Sequence, residues 1–138
     1  LDVGADYAFG HYTHEKNPVT ARAALTTIEI TEQEGLVANA AKVGAAALAR
    51  LREVMARRAI IGDVRGIGLL IGIELVNDRA AKTPASAEAD KVMYLALEKG
   101  LSFKTTFGNV LTLTPPLTVT QAQMDRALDI IDECLAGL

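Results

Sequence analysis

Apolar side chains recur three and four apart at Leu36, Ala40, Val43, Ala47, Leu51 and Val54, the spacing that lays one stripe along an α-helix. A helix is therefore predicted from about Leu36 to Arg58. Ahead of it, Asn17-Pro18 supplies a favoured cap and a first-turn proline whose missing N–H would have had no helical partner. A helix is expected to start there, with Leu25 and Ile28 on a narrow apolar face and Gly35 as its left-handed stop. From Ile60 the period changes. The run "IIGDVRGIGLLIGIELV" is rich in β-branched residues and punctuated by Gly62, Gly66, Gly68 and Gly72, which is strand composition with bends. Within it, Leu69 to Val76 is nearly all apolar, the pattern of a strand covered on both faces, and Asn77-Asp78 ends it in turn chemistry. Thr83-Pro84 reads as the cap and first turn of a helix to Lys99, stopped by Gly100. The stretch "LSFKTTFGNVLTLTPPL" reads as two short strands joined around Gly108-Asn109 and closed by two prolines that cannot continue a ladder. A last helix opens on a capping box, Thr120 with Gln123, and buries Met124, Leu128, Ile131 and Leu135.

This order of elements predicts an α+β fold of two layers, a short, mostly antiparallel sheet of about four strands covered by helices. Composition narrows the function classes. In 138 residues, 50% are apolar and 22% charged, with a net charge of -3; the basic excess that phosphate-backbone binding needs is missing, which points away from nucleic acid. Apolar runs such as Leu69 to Ile73 fall far short of the roughly 20 residues of a membrane span, and the cytoplasm is the expected location. Cys134 is the single cysteine, so no internal disulfide forms, and its helical surroundings predict a small core residue. The opening "LDVGADYAFG" has no helical period and no strand alternation; it reads as the tail of a larger enzyme's preceding segment, and a fragment is expected.

Titratable groups gather in "HYTHEKNP". His11 and His14 are three apart on a predicted loop, without the further His or Cys that a metal site requires. Glu15 and Lys16 are a solvated neighbour pair with nothing to perturb them. Thr13 lies five residues before Pro18, on a loop feeding a helix start. There a hydroxyl and backbone N–H groups can converge on an anion, or the hydroxyl can simply close a turn. In "GDVRGIG" a strand follows the glycines, whereas a dinucleotide loop needs a helix there, so close backbone approach is the better account. Arg65 in that loop is placed to tie a carboxylate or carbonyls together. Glu74, inside an apolar strand, needs a partner or a wet face, and Arg65 is a candidate.

The runs "THEKNPVTARAALTTIEITEQEGLVANAAKVGAAALARL", "IIGDVRGIGLLIGIELV", "EKGL" and "VLTLTPPLTVT" occur in the order and at the spacings of the C-terminal part of class III, pyridoxal-phosphate-dependent aminotransferases, and nearly the whole chain resembles that family. Its members include ornithine, acetylornithine and 4-aminobutyrate aminotransferases, dialkylglycine decarboxylase and phospholyases of phosphoethanolamine-type substrates; the last two groups look nearest. The resemblance implies a homodimer of fold-type-I subunits acting on an amine or amino acid and a keto acid. It divides the chain into residues 1–16, the end of the large domain, and residues 17–138, the small domain. Thr13 takes the place of the family's threonine that bonds the cofactor phosphate from the neighbouring subunit. The family's cofactor lysine, its pyridinium-nitrogen aspartate and its ring-stacking aromatic lie upstream of these residues, so the 138 residues alone are expected to be inactive. Lys104, in "SFKTTF", matches a small-domain position and not the cofactor lysine. Many members carry an arginine that grips the substrate α-carboxylate where this chain has Thr112. An amine whose acidic group is absent, distal, or a phosphate or phosphonate is therefore the expected substrate, with Lys104 or His14 as its reader. The alternatives are a lyase, decarboxylase or epimerase of the same family or, from another class, a non-catalytic α+β interaction domain.

Overall fold

The computed structural model describes residues 17–138. In chain order these form α1 (Pro18–Gln33), α2 (Leu36–Arg57), β1 (Ile61–Ile67), β2 (Leu70–Asp78), β3 (Thr83–Pro84), α3 (Ser86–Glu98), β4 (Lys104–Thr106), β5 (Val110–Leu113) and α4 (Gln121–Ala136). The chain divides into two units, residues 1–36 and 37–138. In the first, α1 starts where the cap predicts: the Asn17 side chain accepts the Val19 N–H at 2.9 Å, and Pro18 occupies the first turn. Gly35 leaves the helix at φ +63°, a conformation glycine adopts without a Cβ penalty. None of the side chains of α1 is buried.

The second unit is a two-layer α+β domain. Its sheet runs in the order β1-β2-β5-β4, every pairing antiparallel, with β3 paired to β2 off that path. Successive residues of a strand face opposite sides. Ile71, Ile73 and Leu75 of β2, Val64 of β1, and Leu111 and Leu113 of β5 all fall on one face. They share a core with Val43, Ala47, Leu51 and Val54 of α2, Ala89, Val92 and Ala96 of α3, and Met124, Leu128, Ile131 and Leu135 of α4. The lone Cys134 sits in this core as its surroundings predict, and burial pushes its thiol up. The capping box at Thr120 and Gln123 forms in full. No helix among the described residues is long and apolar enough to cross a membrane.

Three expectations need correction. Over most of its length the apolar run Leu69 to Val76 is covered on one face, not two: Leu70 is 55% exposed and Gly72 and Glu74 are half-buried on the open side, where only Val76, beside β3, is buried. Thr83-Pro84 does not start a helix. The Asp78 carboxylate accepts the N–H groups of Ala80 and Ala81 at 2.7 and 2.9 Å, reversing the chain so that Thr83 and Pro84 pair back onto Asp78 and Val76 as the short β3. Proline fits there because an edge position asks it for no ladder donor. α3 begins instead at Ser86, without a side-chain cap. The sheet accordingly has five strands where about four were expected.

Three devices hold α2 in place. At its C-terminus the Arg79 guanidinium donates to the carbonyls of Met55 (2.6 Å) in the last turn, Arg58 (2.8 Å) just past it and Ile61 (2.9 Å) at the start of β1, tying the helix end, where carbonyls lack helical donors, to the strand that follows. Along its length, Arg50 pairs with Asp125 and Asp129, and Arg57 and Arg58 pair with Asp132, all on α4. At Gly44 the helix touches the β1–β2 turn backbone to backbone, and a Cβ there would lie 2.0 Å from the Gly68 carbonyl oxygen. Gly44→Ala is expected to cost about 3 kcal/mol or more, because the obstacle is main chain that cannot swing away; chemical denaturation measures it.

Burial alone would raise the Asp132 carboxyl, but the hydrogen bonds from Arg57 and Arg58 outweigh it and hold the group below its ordinary value. The folded chain thus binds this proton less readily than the unfolded one. The ion pairs contribute fully above the unfolded carboxylate value of about 3.9 and are lost as pH falls through the depressed folded value. Asp132→Asn is expected to remove that part of the acid dependence, read as a flatter denaturation midpoint against pH below about 4.

Candidate functional site

With the helices on one side, the other side of the sheet is open, and its composition follows from strand register. Arg65 of β1 pairs with Gly72 of β2, Gly72 with Thr112 of β5, and Thr112 with Lys104 of β4. These four positions form one row across the sheet, all on the open side, since directly opposed residues share a face. A second row holds Asp63, Glu74, Val110 and Thr106.

On the β1 side, the Arg65 guanidinium donates to Asp63 at 2.7 Å and to Glu74 at 2.6 Å. Those two hydrogen bonds, first the one to Asp63 and then the one to Glu74, raise its already high pKa further. The pairing of Arg65 with Glu74 suggested by the sequence is present, and Asp63 is a second partner. Two carboxylates leave this guanidinium no spare charge for an anion.

In the middle, Gly72 carries no side chain, and a Cβ there would meet Val110 at 3.3 Å and Arg65 at 3.8 Å. The result is a hollow of about 420 Å³ floored by Leu70, Gly72 and Val110, with Ile67 and Phe107 at its rim and the hydroxyls of Thr106 and Thr112 along one side. Phe107 is 92% exposed and sits at φ +53° beside Gly108 at φ +82°. This left-handed pair turns β4 into β5, and the expected turn at Gly108-Asn109 therefore starts one residue earlier. Asn109 anchors it from below: its side chain donates to the Leu75 carbonyl at 2.9 Å and its own carbonyl accepts the Leu75 N–H at 2.8 Å.

On the β4 side, Thr112 Oγ1 lies 2.8 Å from Thr106 Oγ1. Lys104 is exposed and makes no hydrogen bond or ion pair among the described residues; it lines a neighbouring hollow of about 520 Å³ with Ser102, Pro115, Pro116 and Gln123. Of the expected site residues, Thr112 and Lys104 are thus register partners. Thr13, His11, His14, Glu15 and Lys16 lie outside the described residues. The sequence reading missed Thr106, whose part becomes visible only once the hairpin register is known.

The profile of class-III aminotransferases matches residues 8–135. The chain belongs to that family. It is 42% identical over 135 residues, 98% of its length, to the (R)-1-hydroxy-2-aminoethylphosphonate ammonia-lyase of Vibrio splendidus, of which it spans 28%. Further relatives include racemases and aminotransferases. Among solved structures, it resembles an amine transaminase from an uncultivated Pseudomonas species in its PLP-bound form. The TM-score is 0.86 at 32% identity, covering 96% of this chain and 30% of that one. It also resembles a phospholyase from Arthrobacter in complex with phosphoethanolamine, with TM-score 0.82 at 30% identity, covering 88% of this chain and 29% of the other. The chain therefore spans about three tenths of the length of the relatives it matches.

Class-III enzymes are pyridoxal-phosphate-dependent. The hollow over the sheet does not make a cradle for that cofactor: no lysine lines it, and its one cation, Arg65, is already held by two carboxylates. Its mixture of apolar floor and two hydroxyls suits the end of a substrate.

Proposed function

We propose that this chain is the substrate-facing part of a cytoplasmic, homodimeric, pyridoxal-phosphate-dependent class-III enzyme that acts on an amine bearing a distal phosphate or phosphonate. In this reading residues 17–138 are the small domain and residues 1–16 end the large one. Thr13 holds the cofactor phosphate across the dimer interface, and the lysine that moves the proton lies outside the 138 residues, which alone are inactive. The observation that carries the reading is Thr112: a hydroxyl, paired with Thr106, stands on the open face at the position where many members of the family carry a guanidinium. A planar guanidinium fork matches a planar carboxylate in a bidentate pair. A hydroxyl gives one donor, so an α-carboxylate loses the contact that would select it.

The cofactor supplies the electron sink when bound. The residues of this chain hold the substrate. Leu70, Gly72 and Val110 exclude water from its carbon chain, Thr112 and Lys104 donate to its acidic end, and the Arg65 ion pairs fix the strand edge against which the hollow is built. The net reaction is transfer of the amino group to a keto acid. A second reading, elimination of ammonia, is favoured by the 42% identity to a lyase named for an aminoethylphosphonate. Incubating the full-length enzyme with an aminoalkylphosphonate, with and without a keto acid, separates the two, since elimination releases ammonia without any acceptor.

Steady-state kinetics on the full-length enzyme test the substrate. Efficient turnover of simple α-amino acids in preference to phosphonate or phosphate amines would overturn the proposal. Thr112→Arg should move preference toward α-amino acids by about tenfold or more in kcat/KM, because a regained charge-assisted hydrogen bond contributes on the order of 1.5–3 kcal/mol.

A further inference from the structure

The Thr112 hydroxyl has a fixed partner. Thr106 stands diagonally across the β4–β5 pairing, its register partner being Val110, and its Oγ1 reaches Thr112 Oγ1 at 2.8 Å. We propose that Thr106 is a specificity-determining positioning residue: it donates within this hydroxyl pair so that Thr112 presents a single outward O–H, which together with the Lys104 ammonium selects a tetrahedral oxyanion. This inference rests on the reading that Thr112 meets the substrate's acidic group.

A threonine hydroxyl carries one proton and two acceptor lone pairs. Two such groups at hydrogen-bond distance spend one proton on each other and keep one for a ligand. When an anion takes the proton of Thr112, Thr106 must be the donor within the pair, and that bond polarises the Thr112 O–H and strengthens its donation. The β-branched side chains hold both oxygens at set χ1 angles, so the donor direction is fixed before the ligand arrives. Lys104, directly opposite Thr112, adds a mobile ammonium with three donors. A hydroxyl on one strand and an ammonium on the next give donors that do not lie in a common plane. The three oxygens of a phosphonate can meet such donors together, whereas a carboxylate, with two oxygens in one plane, meets them poorly. Arg65 is in the same row of the sheet, but its guanidinium is held by Asp63 and Glu74 and does not compete for the anion.

The test uses the full-length holoenzyme and three primary amines of equal chain length ending in phosphonate, carboxylate or methyl, with kcat and KM read separately for the wild type, Thr106→Val, Thr106→Ser, Thr112→Val and the Thr106→Val/Thr112→Val double variant. Thr106→Val keeps the shape and removes the hydroxyl. It should raise KM for the phosphonate amine about tenfold, leave kcat within about twofold, and leave the KM of the methyl amine unchanged. Thr106→Ser should restore most of the affinity. In the double variant Thr106→Val should add nothing to Thr112→Val, the mark of two groups acting as a unit. The inference is overturned if Thr106→Val leaves the phosphonate KM within about twofold of wild type, or raises all three KM values alike as a packing defect would. The proposal for substrate class is read from the wild type alone: preference for the carboxylate amine would overturn that, while a selective effect of Thr106→Val on whichever acid-bearing amine is bound still decides the role of Thr106.

Discussion

The two-residue period of β2 governs this domain. Once Ile71, Ile73 and Leu75 are committed to the helix-covered face, the residues between them, Leu70, Gly72 and Glu74, have nowhere to go but the open face. The antiparallel pairings then carry that parity to β1 and β5, and through β5 to β4. A one-residue slip would bury Arg65 and expose Val64, so the hydrophobic core and the row Arg65, Gly72, Thr112, Lys104 are fixed by the same constraint. Gly44 against Gly68 and Arg79 at the end of α2 set the helix layer on that sheet. They act on the site only through the register they protect.

On the open face, charge is distributed unevenly. Two carboxylates hold the Arg65 guanidinium at one edge, and the hydroxyl pair and Lys104 stand at the other, with the bare Gly72 between. An exposed cation already paired with two anions adds little further attraction. The donors of the face that are not already paired with carboxylates therefore lie toward β4 and β5. The same asymmetry separates the two kinds of glycine in "GDVRGIGLLIG". Gly68 turns the chain at φ +52°, while Gly72 leaves space in the floor of a hollow.

Much of this was legible in the sequence because local rules and the final packing agree. The α2 and α4 stripes, the Asn17 cap, the capping box and the glycine stops follow from spacing alone, and every one of them is observed. The misreadings occur where two physical rules compete for one pattern. An unbroken apolar run fits a doubly covered strand, but Leu70 is apolar for a different reason, as the floor of an open hollow. Thr-Pro suits a helix start or an edge strand equally well, and the Asp78 turn, which depends on a side chain five residues earlier, decides between them. Thr106 gave no signal at all. Its role depends on standing diagonal to Thr112, a relation that exists only after a hairpin of known register has formed.

In the proposed reading, a separation between holding a substrate and transforming it accounts for one fold serving lyases, racemases and aminotransferases among the relatives of this chain. In the proposed enzyme, residues on the open face touch the end of the substrate remote from the bond that breaks. What they contribute is largely the same before and during the reaction, so they set which amine is bound more than how fast it reacts. The fate of the amine after its proton leaves is decided by groups next to the reacting carbon, and in the proposed enzyme those groups lie on the lysine side of the site. In that reading, a change such as Thr112 in place of arginine alters the substrate class without altering the reaction, and a change in the reaction need leave no trace on this sheet. In the proposed enzyme, residues 17–138 meet the acid group of the substrate through an uncharged hydroxyl pair that relies on geometry where a guanidinium would rely on charge.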